Sequence, residues 1–214
     1  SWDEAVYLLS FVLELAPDVD RTVLERTLTA AQQAAILALF QRRIDERIPA
    51  AYLTGRAWFC GLPFTVDERV IIPRSPIAEL IINGFQPWCS AEPNRVLDLC
   101  AGSGCIGIAC AYAFEAAEVV VSDISPEAVE VAQSNIALHK LDYRVSAVES
   151  DLFEQLRGEQ FELIVSNPPY VDADDYASMP DEYYHEPELA LASGDDGLDF
   201  TRRLLREAAD HLTD

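Results

Sequence analysis

The sequence predicts an α/β protein: a doubly wound, mostly parallel sheet, preceded by a small helical domain and a β-hairpin connector. Three observations lead there. Short apolar runs near 95–99, 118–122, 144–148 and 161–165 have the length and bounding of buried strands. Helix-like segments near 104–114 and 126–138 alternate with them, the order that builds a parallel sheet with its ligand at the strands' carboxyl ends. Before Trp58 there is no strand signal at all, so residues 1–48 read as helical.

The elements follow in order. Ser1-x-x-Glu4 and Thr29-x-x-Gln32 both have the form of capping boxes. After the second, Ile36, Phe40, Ile44 and Ile48 recur every four residues with Leu37 alongside, which predicts an amphipathic helix whose stripe is the core of the small domain. Ala57–Ile72 alternates and carries Gly61-Leu62-Pro63, the pattern of a hairpin. Ser75-Pro76 then offers an N-cap and a proline at the first helical position, and Ser125-Pro126 repeats the device for the helix at 126–138. A last helix over 197–212 is expected to place Leu198, Leu205, Ala209 and Leu212 on one face. The expected organisation is a helical domain over 1–55, a hairpin linker over 56–73 and a ligand-binding domain over 74–214.

Two loops carry the chemistry. Arg95–Leu99 runs into Cys100-Ala101-Gly102-Ser103-Gly104-Cys105, where glycines let the backbone pass close to a ligand and the next helix offers its first amides. The strand at 118–122 ends in Asp123, whose position in a βαβ unit suits a ribose diol. A nucleoside-containing cofactor follows from that order. Gly107 completes the spacing of a dinucleotide fingerprint, so the glycines alone leave an NAD-type site open. Asp98 argues otherwise, because a carboxylate in the loop approach repels a pyrophosphate and suits an ammonium group. Asp151, after a third strand at Tyr143–Val148, can accept from an adenine amino group with Leu152 or Phe153 covering the ring; it reads equally as a strand-end cap.

The second loop is Asn167-Pro168-Pro169-Tyr170, after the apolar run Phe161–Val165. Two prolines fix φ and remove two backbone donors. The Asn167 side chain and the carbonyls around Pro168 are then left facing outward as unpaired acceptors, the complement of a planar –NH2 group. The purely structural reading is a rigid loop.

These residues, Asp98-x-x-x-Gly102-x-Gly104, Asp123, Asp151 and Asn167-Pro-Pro-Tyr170, resemble the class I S-adenosylmethionine-dependent methyltransferases with their Rossmann-like sheet. Within them the chain is similar to the HemK-type protein-glutamine N5-methyltransferases. The likeness extends through Arg47–Gly55, Trp58–Phe64 and His185–Leu191. It implies S-adenosylmethionine as cofactor, S-adenosylhomocysteine as product and a glutamine side-chain amide as acceptor. Two substrate classes divide that family, peptide chain release factors and a large-subunit ribosomal protein. Pro73-Arg74-Ser75-Pro76 and Phe59–Phe64 resemble the ribosomal-protein group.

The resemblance assigns cofactor binding to Asp98, Gly102, Gly104, Asp123, Ile124, Asp151, Leu152 and Asn167, and substrate binding to Asn167, Pro168, Pro169, Tyr170 and Glu186. Catalysis falls to Asn167, Pro168 and Tyr170. If Asn167 Oδ1 and the Pro168 carbonyl each accept one N–H, the amide nitrogen is held in line with the sulfonium methyl and its developing charge is stabilised. Alignment of this kind supplies up to ~7–11 kcal/mol of a barrier. No side-chain base is expected, since the methylated amide can lose its proton to water. In the family the helical domain and the hairpin help recognise the substrate protein. The family sheet also has three more strands than the chain provides, so the sequence is expected to be truncated, with an open sheet edge.

Composition sets the remaining bounds. Over 214 residues, 37 acidic against 15 basic side chains give a formal charge of −22, which argues against a nucleic-acid backbone as partner and for a basic protein. That weighs against an adenine-N6 nucleic-acid methyltransferase, which shares the Asn-Pro-Pro-Tyr turn. A dinucleotide-dependent oxidoreductase leaves that turn unexplained, and a non-catalytic interaction module is the other alternative. The five cysteines lack zinc-knuckle spacing and read as small buried thiols, with no metal expected. An odd cysteine count and no N-terminal apolar segment point to the cytoplasm, and no run approaches a membrane span. His139, His185 and His211 are scattered and read as surface or cap residues.

Overall fold

The structure, a computed structural model, describes residues 2–15 and 25–213. The chain forms two compact units, Ser1–Gly55 and Arg56–Asp214.

The first unit is helical: α1 (Trp2–Val12), α2 (Ala30–Asp45) and α3 (Ala50–Thr54). Thr29 caps α2 with a full capping box, its hydroxyl accepting from Gln32 N while the Gln32 side chain accepts from Thr29 N. The box expected at Ser1 lies outside the described residues. The apolar stripe of α2 differs from the expected one. Ile36 is buried and Phe40 half-buried, but Leu37 and Ile44 are 66% and 64% exposed. A helix turns once per 3.6 residues, so a repeat of four drifts about 40° per step and carries Ile44 off the buried face. Arg43 takes the inward position instead and pairs with Glu4 of α1 at 2.9 Å. Ile48 lies beyond the helix end.

The second unit opens with the hairpin β1 (Arg56–Phe59) and β2 (Leu62–Thr65), antiparallel with Phe59 opposite Leu62. Cys60 and Gly61 form its two-residue turn with φ of 49° and 76°, the positive pair of the favoured hairpin turn. Next come α4 (Ile77–Ile82), β3 (Arg95–Leu99), α5 (Cys105–Ala113), β4 (Glu118–Asp123), α6 (Pro126–Leu138), β5 (Val145–Glu149) and β6 (Leu163–Ser166). The last helices are α7 (Ala173–Ala177) and α8 (Asp199–Glu207). The sheet is fully parallel in the order β5-β4-β3-β6. From β3 the chain winds outward through β4 and β5, then returns to lay β6 on the other side of β3. The strand order therefore reverses between β3 and β6, which is where ligands bind in open α/β sheets.

Alternation across β3 divides the two layers. Asp98 and Val121 meet Gly107 of α5 on one face. Leu97 and Leu99 face the other way, into a cluster of Leu152, Phe153, Leu156 and Phe161. Against that cluster α8 packs Phe200 and Leu204, with Ala208 just after it. The expected face of that helix is wrong by one register: Leu205 is 71% exposed, and Leu198 and Leu212 are also exposed. Ser125 caps α6 as expected, accepting from Ala128 N at 3.1 Å. Ser75-Pro76 does not start α4 by side-chain capping of the usual kind; Ser75 Oγ accepts only from Ile77 N, at 3.3 Å, and its hydroxyl has another partner. Phe161 falls outside β6 and bridges Leu212 in parallel instead. Among the described residues no helix is long and apolar enough to cross a membrane.

Candidate active site

At the strand-order reversal, the loop after β3 and the loop after β6 stand side by side, because Leu99 pairs with both Ser122 and Ser166. Ser166 Oγ donates to Leu99 O at 2.8 Å and ties the two loops together at their roots. Above them lies a cavity of about 190 Å³. Its floor comes from the strand ends, and its walls from Arg69-Val70-Ile71, from Pro187, Leu189 and Ala190, and from Phe200 and Arg203 of α8.

Gly102, Asp123, Ile124, Asp151, Leu152, Asn167 and Pro169 all line this cavity. Gly102 sits at φ 52°, and a Cβ there would come within 3.7 Å of Ile71 and 3.9 Å of Val70, so the glycine loop and the Val70-Ile71 segment face each other closely. Asp123 holds the loop in place: Oδ2 accepts from Gly102 N at 2.9 Å and Oδ1 from Ser125 N at 3.0 Å. Burial pushes its carboxyl above the usual range, and those backbone donors oppose the shift. A carboxylate has about four acceptor sites, so capacity remains for a ligand donor. Asp151 accepts two contacts from Arg203, at 3.0 and 3.1 Å, so its carboxylate is already half-engaged. Leu152 is buried and stands at φ 49°. Phe153 does not cover the cavity; its ring stacks on His211 at 4.3 Å in the core behind it.

The structure sets five of the expected site residues outside the cavity wall. Asp98 lies beneath the glycine loop, fully buried, with Oδ2 accepting from Gly107 N at 2.7 Å and Oδ1 without a partner among the described residues. Burial pushes its carboxyl up to about 7, and Asp123 adds to the rise. Its carboxyl thereby holds the first turn of α5 from below. Gly104 is the N-cap of α5 at φ 76° and turns toward Ala132 rather than the cavity. Pro168 does not line it either, and Tyr170 is 65% exposed, with its backbone N–H bonded to Leu191 O. Glu186 is buried and serves the protein itself: it accepts from Ile72 N at 3.0 Å and from Arg74 Nη1 at 2.8 Å. The acceptors expected to be free at Asn167 are partly used, since Oδ1 accepts from Ser75 Oγ at 3.2 Å.

Several residues at the site gave no sequence signal. Asn135 of α6 is fully buried and makes three bonds: Oδ1 accepts from Thr65 N, while Nδ2 donates to Thr65 O and to Ser103 O. One amide thus joins the hairpin, α6 and the glycine loop. Arg69 lines the cavity and pairs with Asp67 at 2.8 Å and Glu130 at 3.1 Å. Arg203 was hidden because its partner is distant in sequence. The thiols behave as buried groups: Cys105 is pushed up to about 12 by burial, and Cys100, on the cavity floor, is raised as well. His139 caps α6 and contacts Pro63 O at 2.8 Å.

Comparison with known proteins agrees with this geometry. The family described as "Methyltransferase small domain" (MTS) matches residues 78–185. The chain is 49% identical, over its whole length and 68% of the relative's, to a ribosomal protein uL3 glutamine methyltransferase of Francisella tularensis subsp. tularensis (strain SCHU S4). It is 50% identical over 99% of the chain and 69% of the relative to the protein of the same name from Xanthomonas campestris pv. campestris. Among solved structures, the hMettl16 catalytic domain in complex with a MAT2A 3′UTR hairpin superposes with a TM-score of 0.56 at 13% identity, over 95% of this chain and 75% of that one. At that identity the likeness is one of fold. With cavity, glycine loop and Asn-Pro-Pro-Tyr turn assembled at one crevice, and with half of all positions shared along its whole length, the chain belongs to the ribosomal protein uL3 glutamine methyltransferases.

Proposed function

We infer that the protein transfers a methyl group from S-adenosylmethionine to the side-chain amide nitrogen of a glutamine in ribosomal protein uL3, in the cytoplasm. The single observation that carries this is the juxtaposition of Asn167 and Pro169 with Gly102, Asp123 and Asp151 around one cavity. Two kinds of group meet there: acceptors for a nucleoside and an acceptor for an amide.

The residues present fit the cofactor. Asp123 offers spare lone pairs for a ribose diol, Asp151 an acceptor for an exocyclic amino group, and Ile124 and Leu152 apolar surface for a base. When bound, S-adenosylmethionine supplies an electrophilic methyl on a sulfonium. The rest is done by the protein. A glutamine amide is a weak nucleophile because its lone pair is delocalised, so Asn167 Oδ1 and the Pro168 carbonyl act by holding its two N–H groups and stabilising charge that grows on nitrogen. Tyr170, largely exposed beside them, provides a face against which the glutamine side chain packs. The helical unit, the hairpin and the acidic surface serve recognition of the basic protein.

The test offers methyl-labelled S-adenosylmethionine to purified uL3 and, separately, to a release factor, with mass spectrometry of the products. Label on a glutamine of uL3 alone is expected, and label on the release factor instead, or on neither protein, overturns the reading. Asn167→Ala is expected to bind the cofactor within about threefold of wild type while losing on the order of 100-fold in kcat, the cost of removing one preorganised transition-state partner.

A further inference from the structure

The segment from Arg69 to Ser75 crosses the cavity and ends on the Asn-Pro-Pro-Tyr turn. Val70 and Ile71 line the cavity opposite Gly102. Ile72 and Arg74 are fastened to Glu186, whose side chain is only 3% exposed. Arg74 also lies over the Tyr183 ring at 5.3 Å. With its neighbours fixed in this way, Ser75 places Oγ 3.2 Å from Asn167 Oδ1. The Ile77 N–H points at the same Oγ from 3.3 Å and fills one of its acceptor lobes.

This contact answers a problem that a lone asparagine would pose. The terminal torsion of an asparagine is broad and two-fold, so a free carboxamide presents oxygen and NH2 to a substrate in turn. Only the oxygen can accept an N–H from a glutamine amide. With one acceptor lobe already engaged by the Ile77 N–H, the Ser75 hydroxyl donates its hydrogen to Asn167 Oδ1 and so favours the orientation with Oδ1 next to Ser75. One lone pair of Oδ1 is then committed and the other stays open. Hydrogen bonds in series also polarise one another, which strengthens the remaining acceptor.

We propose that Ser75 is a positioning residue for methyl transfer, fixing the Asn167 carboxamide with its oxygen toward the acceptor amide, and that Glu186 holds Ser75 in place through Ile72 and Arg74. The inference rests on the glutamine reading above. It differs from that reading in assigning part of the rate to a residue that does not line the cavity.

The test compares wild type, Ser75→Ala and Ser75→Thr in the full-length protein with uL3 as substrate. Ser75→Ala is expected to lower kcat by up to about tenfold, the weight of one hydrogen bond, with the cofactor dissociation constant unchanged. Ser75→Thr, which keeps the hydroxyl, is expected to recover most of it. In 15N NMR spectra the Asn167 side-chain NH2 pair, assigned by its loss in Asn167→Ala, is expected to shift and broaden in Ser75→Ala and to return in Ser75→Thr. An unchanged kcat with an unchanged NH2 pair overturns the proposal, as does a loss of kcat that follows loss of cofactor binding and is not rescued by threonine. Absence of any methylated glutamine with wild type would sink the glutamine reading instead, and the NH2 pair would still decide whether Ser75 fixes Asn167.

Discussion

Asp98 sits in an unusual environment for a carboxylate. It is fully buried between β3 and α5, one oxygen bonded to Gly107 N and the other without a partner among the described residues. A Cβ on Gly107 would come within 2.4 Å of Val121 and 3.1 Å of the Asp98 Cβ, so only glycine lets α5 approach this closely. The charged form is disfavoured there, and the carboxyl is raised from 3.8 to about 7. Between about pH 4 and pH 7 the folded protein retains a proton that the unfolded chain has released, so this group's contribution to stability falls as pH rises through that window. Below it the cost vanishes, and above it the cost is complete. Asp98→Asn cannot ionise, so its stability relative to wild type should improve from pH 4 to pH 7, by at most about 1.4 kcal/mol per pH unit, the limit for one proton. Urea denaturation at several pH values measures this, and a difference that stays flat with pH would show that Asp98 is ionised throughout. The variant itself leaves an NH2 in the space of the orphaned Oδ1, so the trend with pH is the informative quantity, not the offset.

At the scale of elements, the sequence was most readable where local chemistry alone decides. The capping box at Thr29, the Ser125 cap, the hairpin around Gly61 and the strand-loop-helix order around Gly102 depend on neighbours within a few residues, and the structure shows each one, with the hairpin's turn at Cys60-Gly61 rather than at Gly61-Leu62-Pro63 and its second strand ending at Thr65 rather than Ile72. Helix faces were read less well, because an apolar residue can satisfy a period without facing the core. In and around α8 two stripes compete, the expected Leu198-Leu205-Ala209-Leu212 and Phe200-Leu204-Ala208. The second wins because it meets Leu97, Leu99 and Phe161 and at the same time points Arg203 at Asp151. Both partners are set by the fold and neither is legible nearby in the chain. The same limit hid Asn135, Arg69 and the Ser75 contact, whose partners lie 70, 61 and 92 residues away. Truncation separates the two stripes experimentally. Leu204→Ala is expected to cost about 1–3 kcal/mol, reduced from a full core deletion because the site is only partly buried, whereas Leu205→Ala should stay within about 0.5 kcal/mol. Chemical denaturation of both variants gives the comparison, and equal losses would mean that α8 packs on the other face.

The whole molecule adds a field to the site. The formal charge of −22 is not spread evenly: between Arg157 and Arg202 there is no lysine or arginine, while Asp172, Asp174, Asp175, Asp181, Glu182 and Glu188 fall in that stretch. The same stretch carries the Asn-Pro-Pro-Tyr turn at one end and, through Pro187, Leu189, Ala190 and Phe200, a wall of the cavity. Its negative charge therefore lies on the segment that carries the turn and part of the cavity wall. The two cations that line the cavity do little to offset it, because Arg69 is engaged by Asp67 and Glu130, and Arg203 by Asp151. Such a surface repels a phosphate backbone and raises the encounter rate of a basic protein without contributing to the chemical step. The two effects separate under salt. Raising the salt from about 0.1 M to about 1 M shortens the Debye length from ~10 Å to ~3 Å, which removes long-range steering but leaves contacts inside the closed site nearly untouched. On the proposed role of Asn167 and the turn, which is exerted at contact distance, the KM for uL3 should therefore rise several-fold over that range while kcat holds. Initial-rate kinetics across the salt series provide the check. A KM independent of salt would place recognition in apolar or short-range contacts, and a falling kcat would mean that the field acts on the transfer itself.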